Sequence, residues 1–148
     1  MTSRHTLVIA FGNPLRHDDG AAARVLELLR GTEGVETRDV QQLTPELASD
    51  IASARVVVFV DADVLAKTVR IERVQSADRY ITPSALTHAP SPEEVVALAR
   101  GLFGWSGVAI ICALPVRDLS AGEGLSRRGE ISARLGARAV RRFLRERA

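Results

Sequence analysis

Three groups of side chains with the chemistry of metal ligands or electrostatic anchors are spread along the 148-residue chain. Asp18 and Asp19 lie between a short apolar run and a helical stretch that begins at Ala21. Asp61 follows a second apolar run, and His88 precedes a helix-start pattern. Two carboxylates and one imidazole, without a thiolate, suit a divalent ion such as zinc, nickel or manganese. Three protein ligands would leave coordination open for water or a substrate.

Each of these residues also has a simpler structural interpretation. Asp18 or Asp19 could be only the N-cap of the following helix. An aspartate at the end of a strand, such as Asp61, is often a turn former, and a loop histidine such as His88 is commonly a surface polar group. The spacing matches no short contiguous metal motif, so the residues alone leave these alternatives open.

The elements that must position these residues alternate along the chain. Strands are predicted over 6–11, 35–40, 55–60, 69–74 and 108–114, and helices over 21–30, 44–53, 92–100 and from 126 onward. This order predicts one α/β domain over 1–148, a three-layer sandwich with helices on both faces of a mixed five-stranded sheet. The fourth strand follows the third too closely for a parallel crossover, so those two are predicted to be antiparallel. Its alternation of apolar and charged residues places it near an edge.

Three helices carry more detailed signals. Ser91 to Glu94 is a capping box with Pro at the first helical position, and Thr44 is predicted to be an N-cap. Ser126 is the predicted N-cap of the last helix. Its apolar residues fall close to one stripe, which predicts that they pack on the core; they are Ile131, Leu135, Val140, Phe143 and Leu144.

Composition and motifs exclude several classes of protein. The chain is 46% hydrophobic and 26% charged, as is usual for a globular domain, and no apolar run approaches the ~20 residues that span a bilayer. The N-terminus has no signal-peptide pattern, which predicts a cytoplasmic location. Cys112 is the only cysteine, so disulfide frameworks and cysteine metal clusters are excluded within the chain, and its apolar neighbours predict a small core residue. Neither a nucleotide-binding glycine loop nor a G-x-S-x-G elbow is present.

The net charge of +2 conceals an uneven distribution of basic residues. All of the 20 basic residues except Lys67 are arginine, and eight of them lie between Arg127 and Arg147. Such a segment could contact nucleic acid or an acidic partner. Because it has almost no aromatic residue to stack on a base, a solvated helix face is the favoured interpretation.

Four blocks of sequence carry a more specific pattern. They are Gly12-Asn13-Pro14-Leu15-Arg16-His17-Asp18-Asp19-Gly20, Phe59-Val60-Asp61-Ala62, His88-Ala89-Pro90-Ser91-Pro92 and Gly122-Glu123-Gly124-Leu125-Ser126. In type and order they resemble the nickel–iron hydrogenase maturation endopeptidases, whose opening motif is G-N-x-L-x-x-D-[DE]-G. The blocks span nearly the whole chain, and together they are specific.

The resemblance implies an enzyme that removes a short C-terminal peptide from the precursor of a hydrogenase large subunit after nickel has been installed there. It implies that Asp19, Asp61 and His88 are the catalytic and metal-binding residues, which bind the substrate's nickel transiently. No firmly bound cofactor, nucleic acid or membrane partner is expected, and the small size permits a monomer. The implied fold, a mixed five-stranded sheet with helices on both faces, agrees with the pattern of elements.

The match has departures that bear on specificity. Ala22 stands where the family often has a second glycine, and 41–44 (Q-Q-L-T) replaces a D-G-G-T stretch that is thought to help choose the substrate. The identity of the hydrogenase therefore stays open. Asp18 is interpreted as a helix cap in preference to a general base, and Arg117 and Glu123 are weaker candidates for lining the substrate groove.

Two other functions fit parts of the pattern. A nickel-dependent checkpoint or chaperone for hydrogenase assembly would use the same three ligands without cleaving its partner. A peptidyl-tRNA hydrolase also has Gly-Asn-Pro after its first strand and a histidine soon after, where His17 lies. That family usually has asparagine at the position of Asp18, and two adjacent aspartates would repel a phosphate backbone, so this function ranks last.

Overall fold

A computed structural model describes residues 5–12, 20–75, 89–117 and 124–147. The strands are β1 (Thr6–Phe11), β2 (Val35–Val40), β3 (Val56–Asp63), β4 (Arg70–Arg73) and β5 (Val108–Pro115). The helices are α1 (Ala21–Leu29), α2 (Leu47–Ala52), α3 (Pro92–Phe103) and α4 (Arg127–Arg147). Among the described residues, no helix combines the length and the apolar character needed to cross a membrane.

The five strands form one mixed sheet in the order β2-β1-β3-β5-β4. Four strands are parallel, and β4 runs antiparallel to β5. The predicted direction and edge position of β4 are thus confirmed, but its neighbour is β5 and not β3. The reason is burial: β5 pairs with β3 along the whole of Val56–Asp63, whereas the side chains of β4 are exposed or half-buried and suit an edge.

Successive residues of the strands face two separate cores. One core packs the sheet against α1 and α4 and includes Val58 and Val60 of β3. The other packs it against α2 and α3 and includes Val57 and Phe59. Full burial of each such side chain stabilises the fold by about 1.5–3 kcal/mol. The predicted three-layer α/β sandwich is confirmed.

The helix α3 begins as its sequence predicts. Ser91 Oγ accepts from the Glu94 N–H at 3.2 Å, and Glu94 Oε1 accepts from the Ser91 N–H at 3.1 Å. The helix continues to Phe103, beyond the predicted end at Arg100, and stops at Gly104 with φ +65°, a left-handed conformation that glycine adopts without steric cost.

The helix α2 begins later than predicted. The Thr44 and Pro45 carbonyls accept from the N–H groups of Leu47 and Ala48, so that a tight turn precedes the helix and Glu46 is its N-cap residue. The prediction of Thr44 as N-cap is therefore wrong. The Glu46 backbone N–H and the Thr44 hydroxyl lower the pKa of the Glu46 carboxyl.

The predicted apolar stripe of α4 is only partly correct. Val140 is buried and Phe143 and Leu144 are half-buried against the core, but Ile131 and Leu135 are 51% and 46% exposed. The face against the sheet is built mainly from small residues: Gly129, Ser132, Ala133, Gly136 and Ala137. The cause is close packing, since a Cβ at Gly136 would lie 2.4 Å from Leu114 Cδ2. Only small side chains fit that face, and the larger aliphatic ones point outward.

Candidate functional site

The parallel strands β1, β3 and β5 end at one edge of the sheet, here called the carboxyl edge. From β1 the chain passes over one face, through α1, to β2 on one side. From β3 it reaches β5 on the other side, with α3 packed on the opposite face. The winding therefore reverses between β1 and β3, and ligands of doubly wound sheets bind outside the carboxyl ends of the strands at such a reversal.

Asp61 lies at this reversal, but within β3 and not after it. The strand continues to Asp63, and Asp61 pairs with Ala113 of β5, so the predicted strand end at Val60 is three residues short. Because alternate residues share a face, Asp61 lies on the α2–α3 face with Val57 and Phe59. Those two side chains are buried, whereas Asp61 is half-buried. The sheet thus fixes the position of this carboxylate, and the side chain is not fully buried.

The turn after β3 is formed by Asp63 and not by Asp61. Asp63 Oδ1 accepts from the Leu65 N–H at 2.8 Å. Its carbonyl accepts from the N–H groups of Ala66 and Val116 at 3.2 and 3.4 Å, which ties the turn to the end of β5. The interpretation of Asp61 as a turn former therefore loses its basis.

The same turn exposes two apolar side chains that the sequence analysis did not predict. Leu65 is 86% exposed and Val64 is 51% exposed, directly after the end of β3. The available signal was an apolar pair outside any predicted strand or helix, following an aspartate able to form a side-chain turn. An apolar surface thus adjoins the carboxyl edge.

Gly20, the residue after the predicted ligand Asp19, also lies at the carboxyl edge. Gly20 is the N-cap residue of α1, so the cap position expected for Asp18 or Asp19 belongs to a glycine. A Cβ at Gly20 would lie 3.7 Å from Leu125 Cδ2, so two of the four motif blocks lie close together here. Asp18 and Asp19 themselves lie outside the described residues, and their roles stay predictions.

The first turn of α3 also belongs to the carboxyl edge. The helix leads into β5, which starts at the opposite edge, so its capped beginning at Ser91 lies at the carboxyl edge on the face of Asp61. His88 lies outside the described residues, and Ala89 and Pro90 connect it to this cap. Helix N-termini favour anionic groups, and α1 and α3 both direct theirs to this edge.

The described residues do not test the predicted ligand triplet as a set. Across 5–12, 20–75, 89–117 and 124–147, no three His, Cys, Asp or Glu residues form a group that could hold a metal ion. Of Asp19, Asp61 and His88, only Asp61 lies in those ranges. Of the two groove candidates, Arg117 is exposed just beyond β5, and Glu123 lies outside the described residues.

Cys112 is a buried core residue, as predicted. It belongs to the core between the sheet and α1 and α4. Burial raises the pKa of its thiol to about 12. Since the thiolate is the reactive form, Cys112 does not act as a nucleophile at neutral pH.

A cavity of about 740 Å³ opens at the opposite end of the sheet, here called the amino edge. His5, Arg55, Trp105 and Arg147 are among the residues that line it. At this edge, Trp105 Nε1–H donates to the buried Ala54 carbonyl at 2.7 Å and helps to close the fold. This cavity is therefore separate from the edge that carries Asp61.

Solved structures share the fold of this chain over nearly its whole length. A hydrogenase maturating endopeptidase, HybD from E. coli, superposes with a TM-score of 0.68 at 24% identity over 97% of this chain and 94% of that one. The chain has the fold of the hydrogenase maturation endopeptidases. A hydrogenase 2 maturation peptidase from Thaumarchaeota archaeon SCGC_AB-539-E09 gives 0.65 at 23% identity, over 95% and 98% of the two chains. The protease HycI from Thermococcus kodakarensis gives 0.67 at 19%, over 95% and 92%.

Sequence comparison adds no closer relative, since no protein-family model and no curated protein matches the chain. At these identities the structural likeness establishes the fold, which confirms the fold that the motif resemblance implied. Activity has to be argued from the site.

Proposed function

We propose that this protein is an endopeptidase that removes a short C-terminal peptide from the nickel-loaded precursor of a hydrogenase large subunit. The observation that carries the proposal is the place of Asp61, half-buried at the carboxyl edge where the winding of the sheet reverses. Two considerations support it: proteins with this fold are named hydrogenase maturation proteases, and the four motif blocks occur in that family's order.

In the proposed site, Asp19, Asp61 and His88 ligate the nickel that the precursor carries. Two carboxylates and one imidazole are suitable donors for this ion. A set of three leaves coordination positions for ligands of the precursor itself. The nickel is part of the substrate, and we propose no resident cofactor. Recognition of the metal would make cleavage conditional on completed nickel insertion.

The proposed reaction is hydrolysis of one peptide bond. Water adds to the carbonyl carbon, the C–N bond breaks, and the leaving amine takes up a proton. The ion could polarise the carbonyl or orient the bond beside the protein's carboxylates. The N-termini of α1 and α3 are directed to the same edge, and their N–H groups favour the negative charge that develops on the carbonyl oxygen.

The only partner we propose at this site is the precursor, and the site is expected to act without nucleic acid or membrane. The exposed Leu65 and Val64 beside Asp61 offer an apolar contact for the precursor's chain. A cytoplasmic location and a monomeric state remain predictions from the sequence.

The deciding experiment mixes the protein with a large-subunit precursor purified with and without nickel and measures the mass of the large subunit. We expect loss of a short C-terminal peptide only in the nickel-loaded sample, and no loss with His88→Ala or Asp19→Asn. The control is Asp50→Asn. Asp50 is a half-buried carboxylate of α2 that pairs with Arg38 of β2 at 3.4 Å, and this variant is expected to cleave at the wild-type rate. Nickel-dependent binding without a mass change would replace the proposal with a checkpoint role.

A further inference from the structure

The outward face of α4 carries two aliphatic side chains among arginines. At 100° per residue, Arg127, Arg128, Ile131, Arg134, Leu135 and Arg138 fall within an arc of about 120°; these six residues are called the outer face below. All six side chains are exposed. The core does not require Ile131 or Leu135, because small residues make the contact with the sheet. Neither residue belongs to the two hydrophobic cores that the described residues form, so the exposed part of this apolar pair is available to a partner.

Several arginines of α4 are not neutralised. Arg134 pairs with Glu130, and Arg142 with Glu146, each at 3.2 Å. Among the described residues, no carboxylate pairs with the other three arginines of the outer face, Arg127, Arg128 and Arg138. The outer face therefore keeps an uncompensated positive charge on both sides of its apolar pair.

Arg127 and Arg128 lie at the N-terminus of α4, where a positive charge destabilises the helix. Ser126 Oγ accepts from the Gly129 N–H at 3.0 Å and caps α4, so that Arg127 and Arg128 are its first two residues. The positive end of the helix dipole repels cations there. Residues that oppose local stability without an evident structural gain are expected at functional positions.

The outer face begins at the candidate site. Leu125, just before α4, lies close to Gly20 at the start of α1. Ser132 Oγ–H donates to the carbonyl of Pro115, the last residue of β5. From there α4 runs back to the amino edge, where Arg141 donates to the Leu28 carbonyl near the end of α1. The outer face thus extends about 16 Å from the carboxyl edge.

We propose that the outer face of α4 is a docking surface for an acidic, partly apolar patch on the precursor protein, separate from the nickel-binding residues. The inference rests on the proposed function for the identity of the partner. Carboxylates of the precursor would pair with Arg127, Arg128 and Arg138, and an apolar side chain would cover Ile131 and Leu135. Such a surface would hold the large partner while its C-terminal segment reaches the carboxyl edge.

The chemistry of the outer face favours a protein over other anionic partners. A nucleic acid would gain nothing from the aliphatic pair, and no aromatic side chain lies among the six residues to stack on a base. An anionic membrane needs a larger apolar surface than two aliphatic side chains. An acidic protein surface with one apolar side chain would pair with the arginines and also cover the aliphatic pair of the outer face.

The test measures binding of the nickel-free precursor, because docking on α4 needs no metal and this form is not cut. We expect the double substitution Arg128→Glu and Arg138→Glu to raise the dissociation constant at least about tenfold and to weaken its dependence on salt. With nickel-loaded precursor the same variant should raise KM and leave kcat within about twofold. Its Tm should not fall, since Arg128→Glu places an anion at a helix N-terminus. Loss of binding would then not reflect misfolding.

Matched controls separate docking from net charge and general hydrophobicity. The double substitution Arg30→Glu and Arg55→Glu changes the charge equally at the amino edge, and both arginines are exposed. Ile131→Ser is compared with Leu102→Ser, whose leucine is 63% exposed near the end of α3. We expect both controls to bind like the wild type and Ile131→Ser to bind at least about fivefold more weakly.

Three results would overturn the docking surface. They are absence of wild-type binding to nickel-free precursor, equal losses in the outer-face and control variants, and charge-dependent binding to oligonucleotides or phosphatidylglycerol vesicles with none to the precursor. Failure of the proposed function looks different. In that case the wild type and the controls bind the precursor, the outer-face variants do not, and nickel-loaded precursor is never shortened.

Discussion

The two edges of the sheet use their polar residues in opposite ways. At the amino edge, polar groups close the fold: Trp105 Nε1–H donates to Ala54, and the Arg55 backbone bonds to His5 and Val108. At the carboxyl edge, Asp63 alone supplies several turn bonds, and Asp61 on the same strand is half-buried with no part in that turn. A cavity opens at the amino edge, whereas the candidate site lies at the carboxyl edge.

The candidate site is therefore located by the winding of the sheet and the polar groups at its edge, and not by a cavity. At the amino-edge cavity, the sequence neighbours Ala54 and Arg55 take part in hydrogen bonds that close the fold. The carboxyl edge combines the reversal of winding, two helix N-termini and a carboxylate that the turn does not need. Substitutions at the two edges should therefore separate activity from stability.

The largest effect is expected at the carboxyl edge. Asp61→Asn keeps the shape of the side chain and removes its charge, so we expect cleavage of nickel-loaded precursor to fall on the order of 100-fold or more, as for a lost ligand. The free energy of unfolding should change by less than about 0.5 kcal/mol, as measured by denaturant titration. Asp63→Ala is the comparison: it removes an accepted hydrogen bond, should cost about 0.5–1.5 kcal/mol, and should reduce cleavage less. A larger loss of activity in Asp63→Ala would reverse the roles assigned to the two aspartates.

The amino edge should show the opposite result. Trp105→Ala removes a 7%-exposed ring and should lower the free energy of unfolding by about 3–5 kcal/mol, while the folded fraction still cuts. Trp105→Phe keeps most of the ring but leaves the buried Ala54 carbonyl without its donor, at a cost of about 1–3 kcal/mol. Because Trp105 is the only tryptophan, unfolding is followed by circular dichroism. A stable but inactive Trp105→Ala would move the functional site toward the amino edge.

Sequence patterns predicted those strands and helices whose signals lie within their own residues. The β-branched run of β1 predicted the bounds of that strand, and the capping box at Ser91 predicted the start of α3, because both signals are local. The N-cap at Thr44 failed since two turn bonds compete with the first turn of α2. The outward turn of Ile131 and Leu135 was missed because periodicity measures hydrophobicity and not the space left at Gly136. The recurrence of Gly, Ser and Ala at 129, 132, 133, 136 and 137 was the available signal for close packing.

One residue of the candidate site, Asp61, could also be placed from a local signal. Asp61 could be placed at a strand end from the run of buried residues before it, and parallel strands share their carboxyl edge. The pairing of β4 with β5 could not be predicted, since short strands do not specify their neighbour. Only the family resemblance predicts that Asp19 and His88 share a site with Asp61, and both residues lie outside the described residues.

The smallest expected effect concerns Asp39, a carboxylate on the edge strand β2, which β1 separates from the strand of Asp61. Asp39 of β2 pairs with Ala10 of β1, and burial together with the nearby Glu27 carboxylate raises its pKa above the usual 3.8. The folded state thus disfavours the charged form, so Asp39 costs stability above its folded pKa, and this cost disappears as the pH falls below 3.8.

We therefore expect Asp39→Asn to raise the free energy of unfolding at pH 7 by less than about 0.5 kcal/mol and to leave cleavage unchanged. In a Glu27→Gln background the gain should shrink, because the two carboxylates then no longer repel each other. A gain that persisted at pH 3 would assign the effect to packing and not to charge. A loss of cleavage in Asp39→Asn would mean that charge on β2 supports the site, and the contrast between Asp61 and other carboxylates would no longer hold.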